Sequence, residues 1–323
     1  MTAQPACASA PVRRPVEEAD AQILERMLAR LPGFAGTAWS VEPLLGGLTN
    51  RTYKASPPAA EPVVVRISTG QSELLSIDRV AECHNTRAAA RAGAAPAVLA
   101  CHPHEGVSVV AWVSGRTLCA ADLDDSRLLT AIAAMCRALH AGPRFIGEFD
   151  MFAIQRRYLG VVGKHGFRLP ADYLDFMPAV DQIRQALSRH PNPTVPCHND
   201  LLAANIMDDG SRLWLIDYEY AGNNDPCFEL GNLWSESDLD LVALEHLVDS
   251  YFGHHCAAQL ARARLLALMS KYGWTLWASI QDAMSEVDFD FWGWGMEKYE
   301  RAQAEFRGPQ FARLIEDAQQ PNQ

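Results

Sequence analysis

Val195-Pro196-Cys197-His198-Asn199-Asp200-Leu201-Leu202-Ala203-Ala204-Asn205 is followed, twelve residues after Asn205, by the last residue of Leu215-Ile216-Asp217. Both pieces lie in an island of strand-like text, Val195 to Asp217, turned back on itself by Asp208-Asp209-Gly210-Ser211. A hairpin at that place would bring Asn205 and Asp217 together at one end of the unit. Alone, His-x-Asp is an ordinary loop with local hydrogen bonds, and Asp217 an ordinary strand end. An asparagine five residues after Asp200, with a strand-borne aspartate beyond a hairpin, is hard to assign to chance.

The spacing H-x-D-x-x-x-x-N is that of the kinase catalytic loop. Phosphoryl transfer needs an acceptor for the hydroxyl proton, and a carboxylate such as Asp200 can be one. It also needs a cation to neutralise charge on the phosphates. Magnesium prefers oxygen ligands and takes few from the protein, which suits the amide oxygen of Asn205 and the carboxylate of Asp217.

Upstream of this island the text is β-rich. Glu17 to Leu31 has helical spacing and stops at Pro32-Gly33. Strands are expected over Trp39–Leu45, Arg51–Ala55, Val63–Ile67 and Val107–Val113, and a helix over Asp78–Ala92. Ser114-Gly115 is the best boundary. Beyond it, helices are expected from the Leu128/Ile132/Met135/Cys136/Leu139 stripe, over Tyr173–Ser188, and over Asp238–Phe252, Gln259–Met284 and Phe291–Phe306. The reading is therefore α+β and two-lobed: a disordered tail over 1–16, a small β-rich lobe with one main helix over 17–113, and a larger, mostly helical lobe over 114–323.

Composition narrows the partners. The 323 residues are 49% hydrophobic and 21% charged, as in ordinary globular chains. A net charge of -11 repels nucleic acid and anionic membranes and attracts a cationic substrate. No run approaches the apolar length of a membrane span, and the Ala/Pro-rich start lacks the apolar core of a signal peptide. Eight cysteines include no C-x-x-C pair, and several sit in apolar segments as free buried thiols do. A reduced, cytoplasmic setting is expected, and a homodimer is left open.

His198-Asn199-Asp200-Leu201-Leu202, Ile216-Asp217-Tyr218-Glu219-Tyr220-Ala221-Gly222, Asp225-Pro226 and Phe228-Glu229-Leu230-Gly231-Asn232 together resemble the choline/ethanolamine kinase family. That family shares the aminoglycoside-phosphotransferase fold, akin to protein kinases, and the likeness, strongest to its bacterial choline kinase branch, runs from about Pro43 to about Arg301. It implies a protein-kinase-like fold, ATP and Mg2+ as cofactors, Asp200 with His198 in catalysis, and metal at Asn205 and Asp217. Gly46, Gly47, Leu48, Thr49 and Asn50 then match the phosphate loop. Arg66 matches the strand-borne cation on the ATP phosphates, and Glu82 on the next helix matches its acidic partner.

The C-terminal half is unusually aromatic. Trp274 and Trp277 are three apart, so they share a helix face. A quaternary ammonium has no hydrogen to donate and is recognised by aromatic faces and carboxylates. The resemblance assigns the acceptor's ammonium to Trp274, Trp277, Phe289 and Trp294, with Glu236 nearby and Tyr220 beside the metal aspartate. Choline is the favoured acceptor. Ethanolamine, a methylated amino-alcohol, thiamine and an aminoglycoside are alternatives, and a quaternary-amine-binding pseudokinase is the alternative of another class. Two residues depart from the family pattern. Leu202 stands where some members carry Gln, and Glu229 where Asp is usual.

Overall fold

The computed structural model describes residues 16–44, 47–68 and 73–321. The tail expected over 1–16 lies almost wholly outside them, as does Gly46. The N-terminal third is built on an antiparallel five-stranded sheet in the order β1-β2-β3-β5-β4. Its strands are β1 (Ser40–Leu44), β2 (Asn50–Ser56), β3 (Val63–Ser68), β4 (Val98–His102) and β5 (Val107–Ala111). On β2 and β3, buried residues alternate with more exposed ones, as a half-covered sheet requires.

Helix α1 (Glu18–Leu28) covers one face of the sheet with Leu24, Met27 and Leu28, packed with Tyr53, Val65 and Val109. A buried charge fixes its register: Asp20 accepts from Arg51 Nε at 2.6 Å, Arg51 Nη2 at 2.8 Å and Tyr53 OH at 2.5 Å. Helix α2 (Arg79–Arg91) belongs to the other core. Its Ala88 and Ala89 join the large apolar cluster of the C-terminal part. Its Asn85 donates to the carbonyls of Ile146 (3.1 Å) and Ala221 (2.8 Å). The helix that carries Glu82 is thus anchored to the C-terminal part.

After β6 (Arg116–Thr117) the chain is mostly helical, with α3 (Ser126–His140), α4 (Met151–His165), α5 (Met177–Leu187), α6 (Pro226–Glu236), α7 (Leu241–Phe252), α8 (Ala257–Met284), α9 (Phe291–Phe306) and α10 (Phe311–Asp317). Aspartates start many of these helices. Asp78, Asp125, Asp150, Asp225, Asp240 and Asp290 each accept a first-turn N–H, which satisfies donors the helix leaves open. Helix α8 is buried nearly all round and forms the spine of this half, as its all-round apolar sequence dictates.

The island contributes β7 (Val195–Cys197), β8 (Ile206–Asp208) and β9 (Leu213–Leu215), while β10 (Gly222–Asn224) pairs with β7. Strand β8 also pairs with β6, so the segment just after Gly115 is bound to the hairpin. A Cβ on Gly115 would stand 2.3 Å from the Asp208 carbonyl, which explains the glycine there.

Several expectations are corrected. Tyr173–Ser188 is two pieces, a 3-10 turn over Tyr173–Phe176 and then α5, because Pro178 fits only the first turn of a new helix. Strand β4 and helices α4, α6 and α10 had no counterpart in the sequence reading. Cys83 on α2 and Cys101 on β4 are joined as a disulfide, with Cα atoms 6.2 Å apart, while Cys119, Cys136, Cys197, Cys227 and Cys256 are free. No helix among the described residues is long and apolar enough to cross a membrane.

Candidate active site

The loop over residues 198–205 is held from behind by α6. Both oxygens of buried Glu229 accept backbone N–H groups, from His198 and Asn199, each at 2.8 Å. His140, the last residue of α3, lies 3.6 Å from the same carboxylate and is held through Nδ1 by Tyr251 OH at 2.8 Å. Burial alone would raise the Glu229 pKa. Its hydrogen bonds and the two histidines outweigh burial and hold it below the usual carboxylate range. Glu229, His140 and Cys197 could be taken for a buried metal-ligand cluster. Both Glu229 oxygens already accept loop N–H groups, with His140 Nε2 3.6 Å away, so these groups clamp the loop. The longer side chain at 229 therefore still reaches the loop backbone.

His198 is fully buried and faces the main chain. Its Nε2 donates to the Ile216 carbonyl at 2.8 Å, and its Nδ1 accepts the Asp200 N–H at 3.3 Å. Asn199 and Asp217 both adopt left-handed backbone, with φ of +67° and +70°. Asparagine and aspartate tolerate that region better than most side chains. Asn199 is locked there by Nδ2 bonds to the carbonyls of Cys197, Tyr220 and Gly222. These contacts turn Asp200 out of the loop. Asn205 donates to the Asp200 carbonyl at 2.8 Å and to its carboxylate at 3.3 Å. Asp200 and Asn205 are thus together.

Asp217 meets Arg66 of β3 through Nη2. Arg66 also lies 3.4 Å from Glu82 and 4.0 Å from Glu219. Burial opposes the Arg66 charge, but the three carboxylates outweigh it and raise its pKa. The expected Arg66–Glu82 pair is present, yet Glu82 sits closer to Arg79, at 2.7 Å, which the sequence reading passed over. Glu219 was quoted as part of a motif and given no role. It accepts from Thr49 Oγ1 at 2.8 Å and from Asn50 Nδ2 at 2.9 Å. Burial, then Asp217, push its pKa up to about 7 against the pull of Arg66 and Arg79. The side chains of Thr49 and Asn50 therefore tie the loop down to Glu219. Leu48 is half-buried against the large core. Gly47 is fixed by close approach: a Cβ there would stand 2.6 Å from the Asn50 carbonyl.

Gly47, Asn50, Arg66, Glu82, Asn205 and Asp217 line one cavity of about 730 Å³ between the sheet and the island. Val64, Val98, Val110 and Leu118 give it apolar walls. The volume falls in the range of a nucleotide-sized ligand site.

The aromatic residues form a chain of ring contacts. Trp277 Nε1 donates to Tyr220 OH at 2.8 Å. Tyr220 stands edge-on to Trp274 at 5.0 Å, and Trp277 edge-on to Trp294 at 5.5 Å. Trp274 is only 3% exposed and packs against Phe149, so much of its face is spent on the core. Phe289 packs on Phe291 at 4.9 Å, one ring removed from Trp277. Glu236 ends α6 and is held by Lys298 of α9, which the sequence reading did not single out. Asp200 titrates upward through burial first, then through Asp217, Glu236 and Glu219, with Lys298 opposing. Asp200, Glu236 and Lys298 therefore feel one another. His255, read as lacking ligand-like neighbours, lies 3.3 Å from both Glu245 and Asp249 on the exposed side of α7.

The sheet, the clamped loop and the hairpin define a protein-kinase-like phosphotransferase fold. The structure aligns at a TM-score of 0.80 and 31% identity with a choline/ethanolamine kinase family protein from Mesorhizobium loti, over 93% of this chain and 99% of that one. Streptococcus pneumoniae choline kinase LicA shares the fold at a TM-score of 0.76 and 23% identity, over 90% of this chain and 99% of that one. Mouse ethanolamine kinase 2 is 29% identical over 260 residues, covering 71% of this chain and 66% of its own length. The choline/ethanolamine kinase family model matches residues 41–245. The chain belongs to the choline/ethanolamine kinase family, ATP-dependent phosphotransferases to an alcohol group.

Proposed function

We propose that this chain moves the γ-phosphate of ATP onto the hydroxyl of choline. Residues 17–113 serve as the nucleotide lobe and 114–323 as the catalytic and acceptor lobe. The observation that carries the reading is what surrounds Asp200: Asn205 donates to its carboxylate at 3.3 Å, and the charges of Asp217, Glu236 and Lys298 bear on it. The hydroxyl oxygen bonds to the γ-phosphorus as the bond to the β,γ-bridging oxygen breaks. The hydroxyl proton passes to Asp200, and ADP leaves. His198 acts as a positioning residue, since both its ring nitrogens face the main chain.

Asn205 and Asp217 suit magnesium. Both are hard oxygen donors, Asp217 already holds a cation in Arg66, and the Asn205 amide nitrogen is committed to Asp200, which turns its oxygen the other way. When bound, the ion would neutralise charge on the transferred phosphate.

For the acceptor, the aromatic faces favour a trimethylated ammonium. One observation favours ethanolamine instead: Glu236 accepts from a primary ammonium, that of Lys298. Trp277→Ala is expected to raise the KM for choline about tenfold or more, since each cation–π contact is worth about 0.5–2 kcal/mol and Tyr220 loses its partner. The KM for ATP should stay in place. Unchanged choline KM in a folded variant would remove the cage. The reading as a whole is tested by following ATP consumption with magnesium over choline, ethanolamine, its methylated forms, thiamine and an aminoglycoside. Choline should be fastest, and turnover with none of these amines would defeat the proposal.

A further inference from the structure

Lys298 sits where the substrate's cation is needed. Its side chain and that of Glu236 are each only 8% exposed. Its ammonium donates to Glu236 Oε1 at 2.6 Å and also contacts Oε2. The same nitrogen stands 4.2 Å from the centroid of the Trp294 ring. An acid on one side and an indole face on the other is the environment that recognises an ammonium ligand. Trp294 contacts Trp277 and so, through Tyr220, the rest of the aromatic chain. A purely structural ion pair would not need the indole face, nor a place within electrostatic reach of Asp200.

We propose that Lys298 is a built-in occupant of the acceptor's cation subsite, and that the acceptor binds by displacing its ammonium from Glu236 and Trp294. This rests on the amino-alcohol reading above and adds to it a residue that sets acceptor affinity and selectivity. An acceptor whose charge can replace the lysine's restores the neutrality of buried Glu236. A neutral alcohol of the same shape cannot, and displacing the lysine for it would take from a buried carboxylate its ion-pair partner with nothing charged in return. The lysine therefore lowers apparent affinity for every ammonium and excludes neutral alcohols more strongly still. Its flexible stem and single-point charge make it easier to displace than the planar fork of an arginine.

The test is calorimetric binding to the full chain, without nucleotide, using choline, ethanolamine and the neutral choline isostere 3,3-dimethylbutan-1-ol. Lys298→Met removes the competing charge and should tighten choline about tenfold, the factor expected if the subsite is open about a tenth of the time. The neutral alcohol, which the lysine excludes more strongly, should gain at least as much, so the ratio of the two affinities does not rise. Lys298→Arg should weaken choline several-fold, and it keeps the proposal testable if the methionine variant does not fold. If Lys298 merely supports the fold, the methionine variant weakens choline and the neutral alcohol alike, and that result overturns the inference. A native chain that phosphorylates an amine, with Lys298→Met binding that amine no more tightly, overturns the inference alone. A native chain that neither binds nor phosphorylates any of these amines overturns the inference together with the reading beneath it.

Discussion

Asp200→Asn is expected to lower turnover by about 10²–10⁴-fold, the usual contribution of a positioned general base, while ATP binding changes little. The loop should survive the change. Asn205 is held mainly by the Asp200 backbone carbonyl, at 2.8 Å, and an asparagine side chain still offers an oxygen where Asn205 now meets the carboxylate at 3.3 Å. Glu229 clamps the neighbouring N–H groups whatever residue 200 carries. Removing one charge from a site shared with Asp217, Glu236 and Glu219 also relieves repulsion, so the melting temperature should not fall. Near-native turnover in Asp200→Asn would remove Asp200 from the chemistry. The melting curve, read beside the kinetics, separates a chemical loss from an unfolded chain.

Asp217→Ala comes second in expected size. A bound cation supplies several kcal/mol of charge stabilisation to phosphoryl transfer, so losing its carboxylate ligand should cost about a hundredfold or more in turnover. Arg66 would lose its shortest partner and keep Glu82 at 3.4 Å and Glu219 at 4.0 Å. The guanidinium therefore stays in the site, and the deficit should appear as weaker metal-dependent nucleotide binding. In the native chain excess chelator should stop the reaction, and magnesium or manganese should restore it. Full activity in chelator would count against both the metal assignment and the kinase reading.

The sequence was most legible where chemistry and local geometry coincide. Asp200, Asn205 and Asp217 lie within eighteen positions and are joined by one hairpin, so turn chemistry alone places them together. Helices α8 and α9 were legible because long apolar patterns leave little alternative. Helix α4 was not, because Gly160 and Gly163 dilute its stripe. Only the buried positions Met151, Phe152, Gln155, Tyr158 and Val162 reveal its inner face. Strand β4 is an edge strand paired only with β5, half-exposed and without a β-branched run. The Glu229 clamp spans about thirty residues of sequence, the Lys298–Glu236 pair 62, and the Arg79–Glu219 contact 140. No local pattern records such pairings. The family resemblance reached Glu229 as a motif letter and Glu236 as the acid near the ammonium, but not the groups they hold.

The most direct test of the central claim is to incubate the chain with ATP, magnesium and choline and to follow the phosphorus resonances. The account predicts that the γ-phosphate signal is replaced by a phosphate monoester of choline in step with ADP, and that Asp200→Asn forms almost none. ADP released only with inorganic phosphate, or a monoester formed equally well by Asp200→Asn, would contradict it.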